Sequence, residues 1–159
     1  MTSLDLLNPD FRDMLRALSE ERVEFLVVGA YAVAFHGHPR TTGDMDVWLR
    51  ATASNAAKAW RALARFGAPL QALGVTEQDL ARPDVVVQIG VPPRRIDLLT
   101  GITGVEFAAA WPHRVEVPLG AGMVPFLGLE ELLVNKRATG RPKDELDAQE
   151  LQRRRPARP

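Results

Sequence analysis

The chain has 159 residues, of which 46% are hydrophobic, with 20 Lys+Arg against 20 Asp+Glu and no cysteine. This balanced charge argues against a generally basic nucleic-acid coat protein or an acidic tail protein. The lack of cysteine excludes a disulfide framework. The N-terminus lacks the pattern of a signal peptide, and no run approaches the ~18 apolar residues of a membrane span, so we expect a cytoplasmic protein with a core of its own.

Helical and strand patterns alternate along the chain. Helices are indicated by apolar residues at i, i+3, i+4 and i+7, and strands by short apolar runs bounded by Gly, Pro or Asp. In chain order the patterns predict a helix at 9–22, a strand at 25–28, a short helix at 30–35, a strand at 44–49, a helix at 54–66, a turn near 76–79, strands at 84–89 and 95–99, a short helix at 105–111, a hairpin at 113–127, and helices at 129–138 and 144–151. This order predicts an α/β (α+β) fold, a mixed β-sheet with flanking helices.

Several helix ends are predicted from single residues. Asn8 is expected to cap the first helix, and Ser54 to cap the helix that ends at Gly67. Thr76 and Asp79 have the spacing of a capping box.

The chain is expected to form one domain over residues 1–151, followed by a tail at 152–159. The tail holds four arginines and no acid. Runs of like charge are usually solvated and disordered, which is the interpretation we favour for the tail, with nucleic-acid contact as the alternative.

Three carboxylates draw attention as a candidate site. Asp44 and Asp46 are two residues apart in a predicted strand, so both side chains are expected on one face of the sheet. If the extended stretch begins earlier, Arg40 and Thr42 share that face. Asp97 lies within an apolar strand, where an ionised group without a partner would be costly, so something must compensate its charge.

Two interpretations of these acids remain open from the residues alone. Carboxylates that converge on one point repel one another, and Mg²⁺, which prefers oxygen ligands, would remove that repulsion. Alternatively Asp44 caps a turn, Asp46 pairs with an arginine, and Asp97 pairs with Arg94 or Arg95.

The order of motifs resembles a known superfamily. A strand that ends at Gly29 and turns directly into a helix offers main-chain N–H groups to a polyphosphate. The sequence then continues with a loop, the Asp-x-Asp strand, and an apolar strand with a third acid. This constellation resembles the nucleotidyltransferase superfamily whose catalytic core is shared with DNA polymerase beta.

Three longer stretches make the resemblance more specific. FLVVGAYAVAFHGHPRTTGDMDVWL, RRIDLLTGITGVEF and FLGLEELLVNKRATGRPKDELDAQEL look like successive motifs of small bacterial nucleotidyltransferases related to the abortive-infection toxins of type IV toxin–antitoxin systems. The similarity spans about residues 22–151. One departure is Ala30, where many relatives have a glycine or a serine; alanine has no hydroxyl to give to a phosphate.

The resemblance implies roles for individual residues. Asp44, Asp46 and Asp97 would be the catalytic acids and the ligands of two Mg²⁺ ions, and Asp97 would also help to deprotonate the attacking hydroxyl. The implied nucleotide-binding residues are Gly29, Ala30, Arg40, Thr42, Lys136, Lys143 and Asp144. Simpler readings remain for some of them: an ion pair with Asp44 or Asp46 for Arg40, a solvated helix face for Lys136, and a favourable helix-dipole position for Asp144.

The implied activity is transfer of a nucleoside monophosphate from an NTP such as ATP to an acceptor hydroxyl, with release of pyrophosphate. The acceptor would be a protein or an RNA such as tRNA, and an antitoxin partner is implied by the relation to toxins. The alternatives are an NTP sensor without transfer, an interaction module, and kinase-like phosphate transfer.

Overall fold

The computed structural model describes residues 3–38 and 43–155. The predicted site residues Arg40 and Thr42 lie outside these ranges. The strands are β1 (Phe25–Val28), β2 (Met45–Leu49), β3 (Val86–Ile89), β4 (Ile96–Leu99), β5 (Val115–Leu119) and β6 (Gly122–Phe126). The α-helices are α1 (Pro9–Glu20), α2 (Gly29–Phe35), α3 (Ala53–Phe66), α4 (Leu70–Leu73), α5 (Phe107–Ala110), α6 (Leu129–Ala138) and α7 (Pro142–Arg153), with 3₁₀ turns at Ser3–Leu6, Glu77–Ala81 and Trp111–His113.

The strands of the described ranges form one mixed sheet in the order β3-β4-β2-β1-β6-β5. Strand β1 runs antiparallel to β2 and parallel to β6. Strand β2 runs parallel to β4, and the outer pairs β3/β4 and β5/β6 are antiparallel. The predicted α+β class with a mixed sheet and flanking helices is confirmed.

The core forms where the central strands meet the helices. All four residues of β1 are buried, as the continuous apolar run predicts for a strand covered on both faces. Helix α1 buries the stripe Phe11, Met14, Leu15 and Leu18 and packs against α3. None of the helices in the described ranges is both long enough and apolar enough to cross a membrane.

Most of the predicted helix ends are confirmed. The Asn8 side chain accepts a hydrogen bond from the Phe11 amide at 3.0 Å, and Gly67 is left-handed with φ 90°. Thr76 and Asp79 form the reciprocal capping box.

The prediction that Ser54 caps α3 is wrong, because the cap is Thr52. The Thr52 hydroxyl accepts a hydrogen bond from the Asn55 amide at 3.2 Å. Asn55 is 3% exposed, and its side chain bonds the main chain of Glu24 and of Arg50 at 2.8–2.9 Å. These contacts fix the first turn of the helix, and those with Glu24 come from a part of the chain 31 residues away.

The described start of the arginine-rich tail makes ion pairs. Helix α7 ends at Arg153, two residues later than predicted. Arg153 and Arg154 each approach Glu150 to 2.5 Å, and Arg155 pairs with Glu130. Residues 152–155 are therefore a paired helix end, whereas 156–159 lie outside the described residues.

Candidate active site

The three predicted acids lie together at one edge of the sheet. Asp44 directly precedes β2, Asp46 lies within it, and Asp97 lies within β4. Strands β2 and β4 run parallel, and in their register Asp46 is paired with Asp97. Strand β1 runs the other way, and its last residue, Val28, pairs with Asp46. The turn that follows β1 is therefore brought next to the acids.

Gly29 is the residue of that turn that touches the acids. Its φ is +65°, a left-handed conformation that glycine adopts without the strain that a Cβ causes. A Cβ at position 29 would overlap Asp46 Oδ2 and lie 3.0 Å from Asp46 Cγ. The absence of a side chain at Gly29 is therefore what allows the Asp46 carboxylate to occupy its position.

Arg95 provides the compensation that the burial of Asp97 requires. Its Nε and Nη2 donate to the two carboxylate oxygens of Asp97 at 2.7 and 3.1 Å. Nη2 also lies 3.3 Å from Asp44 Oδ2, and the Arg95 main-chain amide donates to Asp44 Oδ1 at 3.0 Å. Of the alternatives left open by the sequence, the pairing of Asp97 with Arg95 is thus present.

Asp46 has a strongly altered acidity. Burial raises its pKa from 3.8 to about 6, and the negative charge of Asp97 and a hydrogen bond with that carboxyl act in the same direction. The nearby charge of Lys136 opposes the rise. Asp46 is thus a partly buried acid that faces a second acid, an environment that favours an added cation.

Lys136 is held inside the protein rather than on a solvated helix face. Its side chain is 11% exposed, and Nζ lies 3.2 Å from Asp144 Oδ1 and 3.4 Å from Asp147 Oδ2. Helix α6 presents the lysine and helix α7 presents both acids. The simpler interpretation of Lys136 as a solvated lysine is wrong.

Asp144 organises the joint between α6 and α7. It is 2% exposed and accepts hydrogen bonds from Thr139 Oγ1 at 2.7 Å and Arg141 Nε at 2.6 Å, in addition to Lys136. Burial acts to raise the pKa of this carboxyl, but the hydrogen bonds from Thr139 and Arg141 and the charge of Lys136 together lower it. Asp144 lies in the first turn of α7 as predicted, and its role extends well beyond a favourable position in the helix dipole.

A pocket of about 380 Å³ joins these parts, which is within the usual size range of small-molecule sites. Its wall contains Val28, Gly29, Ala30, Asp46, Leu99, Gly101, Ile102, Thr103, Asn135, Lys136, Thr139, Arg141, Lys143 and Asp144. Six predicted site residues are thus brought to one cavity, while Asp44 and Asp97 lie beside Asp46 and outside this wall.

Sequence reasoning missed part of the pocket. Arg141 and Thr139 were not predicted as site residues, although Arg141 belongs to the Arg-x-Lys-Asp motif. Asn135 gave no signal; its side chain donates to the main-chain oxygen of Thr103 at 2.9 Å and so ties α6 to the loop after β4.

The donors suit magnesium in kind, because all three acids offer the oxygen ligands that Mg²⁺ prefers. Across residues 3–38 and 43–155, however, no group of three or more His, Cys, Asp or Glu side chains is arranged to hold a metal ion. In this arrangement the Arg95 guanidinium contacts both oxygens of Asp97 and one of Asp44.

No protein-family model matches the sequence, and no curated protein matches it. Solved structures do match. The nucleotidyltransferase-family protein TM1012 from Thermotoga maritima has a TM-score of 0.58 at 15% identity, over 94% of this chain and 96% of that one. The lincosamide antibiotic adenylyltransferase LnuA, bound to lincomycin, gives 0.58 at 15% identity, over 92% and 96%. ANT(2")-Ia, in complex with adenylyl-2"-tobramycin, gives 0.56 at 13% identity, over 89% and 84%.

These similarities establish the architecture of the chain. The protein has the nucleotidyltransferase fold, over nearly the whole length of both this chain and the first two neighbours. At 13–15% identity the likeness concerns the fold, and the reaction has to be argued from the site.

Proposed function

We propose that the protein is a Mg²⁺-dependent nucleotidyltransferase that moves a nucleoside monophosphate from an NTP to an acceptor hydroxyl. The observation that carries the proposal is the pocket whose wall contains Gly29, Asp46, Lys136, Arg141 and Lys143. Asp97 is paired with Asp46 on the neighbouring strand, and Arg95 joins Asp97 to Asp44. The basic side chains match the phosphates of a triphosphate, and the acids around Asp46 match a metal ion bound with it.

The basic residues would receive the phosphates. Lys136 and Arg141 are fixed by Asp144, and Lys143 is exposed at the start of α7. Charged donors hold phosphate oxygens through short, strong hydrogen bonds, and arginine adds a planar fork. Because Ala30 has no hydroxyl, contacts near Gly29 would come from main-chain N–H groups.

Asp44, Asp46 and Asp97 would hold the metal. When bound, Mg²⁺ supplies charge neutralisation at the phosphates and lowers the barrier to displacement. The acceptor hydroxyl would attack the α-phosphorus, its proton would pass to a carboxylate, with Asp97 as the candidate, and the bond to pyrophosphate would break. The rest of the catalysis would come from positioning and electrostatics, without a covalent intermediate.

The acceptor is proposed only as a hydroxyl-bearing molecule. One structural neighbour is named a lincosamide antibiotic adenylyltransferase, and another is in complex with adenylyl-2"-tobramycin. Small molecules therefore join protein and RNA as candidate acceptors. The relation to toxins and an antitoxin partner stays a prediction of the sequence resemblance.

One specific observation favours a second candidate, an NTP sensor without transfer. Arg95 is bound to two of the three acids, and Ala30 lacks a phosphate-binding hydroxyl. NTP binding without turnover in a broad acceptor screen would support the sensor against the transferase.

Labelled nucleotides test the proposal. The protein is incubated with Mg²⁺, a cell lysate, and NTPs labelled at either the α- or the γ-phosphate. We expect an acceptor to gain the α-label only, because transfer of the γ-label indicates a kinase. Asp46→Asn should abolish labelling, whereas Asp13→Asn, at an exposed acid of α1, should leave it unchanged. Equal labelling by the Asp46→Asn variant and by wild type would contradict the proposed nucleotidyltransferase activity of this site.

A further inference from the structure

Arg95 makes contacts that a structural ion pair alone does not need. A single carboxylate suffices to neutralise a guanidinium, yet Arg95 reaches both oxygens of Asp97 and one of Asp44. Asp44 and Asp97 belong to different elements, the entry to β2 and the body of β4. The guanidinium therefore sits between two of the three acids to which the metal is assigned.

We propose that the Arg95 side chain acts as a placeholder cation, which holds Asp44 and Asp97 in the metal-free protein and competes with a divalent cation for them. This inference rests on the proposed function, because it presupposes that the acids bind a metal. Arg95 is then a positioning residue that sets metal affinity, and it takes no part in the chemistry.

Competition follows from the shared atoms. Nε and Nη2 of Arg95 and a metal would be drawn to the same two Asp97 oxygens. Each oxygen keeps a second lone pair, so the competition is electrostatic: a guanidinium held against the carboxylate repels an approaching cation. One unit of positive charge among three acids also leaves the cluster less neutralised than a divalent ion would. The metal is expected to displace the arginine because it brings twice the charge to the same oxygens.

The position of Arg95 permits the exchange. Its side chain is 27% exposed while that of Asp97 is 12% exposed, so the guanidinium has a route into solvent and the acid does not. The main-chain amide of Arg95 donates to Asp44 Oδ1 at 3.0 Å. That bond does not involve the guanidinium, so when the side chain leaves, Asp44 stays anchored through Oδ1 and its Oδ2 is released.

Binding of Mn²⁺, a spectroscopic substitute for Mg²⁺, tests the inference without any assay of transfer. Free Mn²⁺ is measured by electron paramagnetic resonance as the full-length protein is titrated at pH 7.5. We expect Arg95→Met to bind Mn²⁺ about tenfold more tightly than wild type, because a charged hydrogen-bonded competitor has been removed. Without metal the same variant should unfold at a lower temperature, and saturating Mn²⁺ should restore it by a larger shift than in wild type.

Two variants separate competition from a general effect of charge. Arg94→Met removes the same charge from the exposed neighbouring residue and should leave the affinity unchanged. Arg95→Lys keeps the charge but loses the planar fork, so its affinity should lie between those of wild type and Arg95→Met. It also serves as the informative variant if Arg95→Met does not fold.

The outcomes distinguish the two proposals. If wild type binds Mn²⁺ and neither Arg95 variant binds it more tightly, the placeholder role is wrong and the proposed metal site stands. If no variant binds Mn²⁺ at all, the metal site and the placeholder role both fail. Tighter binding by both Arg95 variants, with Arg94→Met unchanged, supports the inference.

Discussion

Asp46 is the residue at which interactions that favour and interactions that disfavour a negative charge meet. It faces Asp97 across the β2–β4 pair, it occupies the space left by the missing Cβ of Gly29, and it feels the charge of Lys136. Its pKa is raised to about 6, mainly by burial. In the metal-free protein an ionised Asp46 is therefore destabilising, which is the expected cost of keeping a carboxylate ready for a cation.

The raised pKa predicts a pH dependence of stability. Between pH 4 and pH 6 the folded protein holds a proton on Asp46 that the unfolded chain, with a pKa near 3.8, has released. The stabilisation is present at about pH 4 and is lost as the pH rises through about 6, which amounts to at most about 3 kcal/mol. Asp46→Asn should remove this loss, because an amide does not ionise.

Urea unfolding in the presence of a chelator measures this effect. The free-energy difference between Asp46→Asn and wild type should shift in favour of the variant from pH 4.5 to pH 7. Asp13→Asn provides the control, since this acid is exposed on α1. A difference for Asp46→Asn that does not change with pH would show that the carboxyl has an ordinary acidity in the folded state.

At the scale of elements, the backbone conformation of the turn between β1 and α2 determines the space available to the Asp46 side chain. Gly29 combines a left-handed φ of +65° with direct contact to Asp46. Gly67, at the end of α3, is also left-handed, but a Cβ there would meet no atom within 4 Å. A side chain at Gly67 would therefore cause backbone strain alone, whereas a side chain at Gly29 would cause both backbone strain and a steric overlap with Asp46.

Gly67→Ala is expected to cost about 1–2 kcal/mol of stability, from the left-handed backbone alone. Gly29→Ala should cost about 2 kcal/mol more than that, because the new methyl group displaces the Asp46 carboxylate. The check is chemical denaturation of both variants in wild-type and Asp46→Ala backgrounds. The additional cost at position 29 should shrink in the Asp46→Ala background, and a cost that stays the same would assign it to backbone strain.

Hydrophobic spacing was enough to predict the six strands and most of the helices in their order, because burial of one face or of two sets the period of apolar residues. The short helix α4 and the 3₁₀ turn Ser3–Leu6 were not predicted. It was not enough to choose Thr52 over Ser54 as the α3 cap, because that choice depends on how Asn55 meets the chain near Glu24. The burial of Lys136 and the contact of Arg95 with Asp44 were missed for the same kind of reason, whereas the pairing of Arg95 with Asp97 was one of the alternatives that the sequence left open. Each missed contact joins two elements, and spacing along the chain carries no such information.

At the scale of the whole molecule, the site draws on residues from much of the sequence. The turn at Gly29, the acids at 44–46 and 97, and the α6–α7 joint around Lys136 and Asp144 converge because β1, β2 and β4 are adjacent in the sheet. A net charge of zero over the chain does not reveal that acids and cations are concentrated around one pocket. The charge balance that argues against a generally basic nucleic-acid coat protein therefore does not bear on a triphosphate bound in this pocket.

If the pocket binds a triphosphate, the ligand should stabilise the entire domain. At a concentration of 100 times its Kd, a ligand adds about 2.7 kcal/mol to the free energy of unfolding, which for a domain of this size corresponds to a rise in Tm of roughly 5–10 °C. Scanning fluorimetry should show this rise with NTP and Mg²⁺ together.

Binding of the phosphates can be tested separately from binding of the base, since Lys136, Arg141 and Lys143 are the proposed phosphate-binding residues. Inorganic tripolyphosphate with Mg²⁺ should therefore reproduce much of the shift, whereas the nucleoside without phosphates should give little. Lys136→Met should have a reduced response to tripolyphosphate, and Lys58→Met, at a lysine of α3 outside the pocket, should respond as wild type does. A full shift with nucleoside alone would mean that the pocket recognises the base and that its cations serve only the α6–α7 joint.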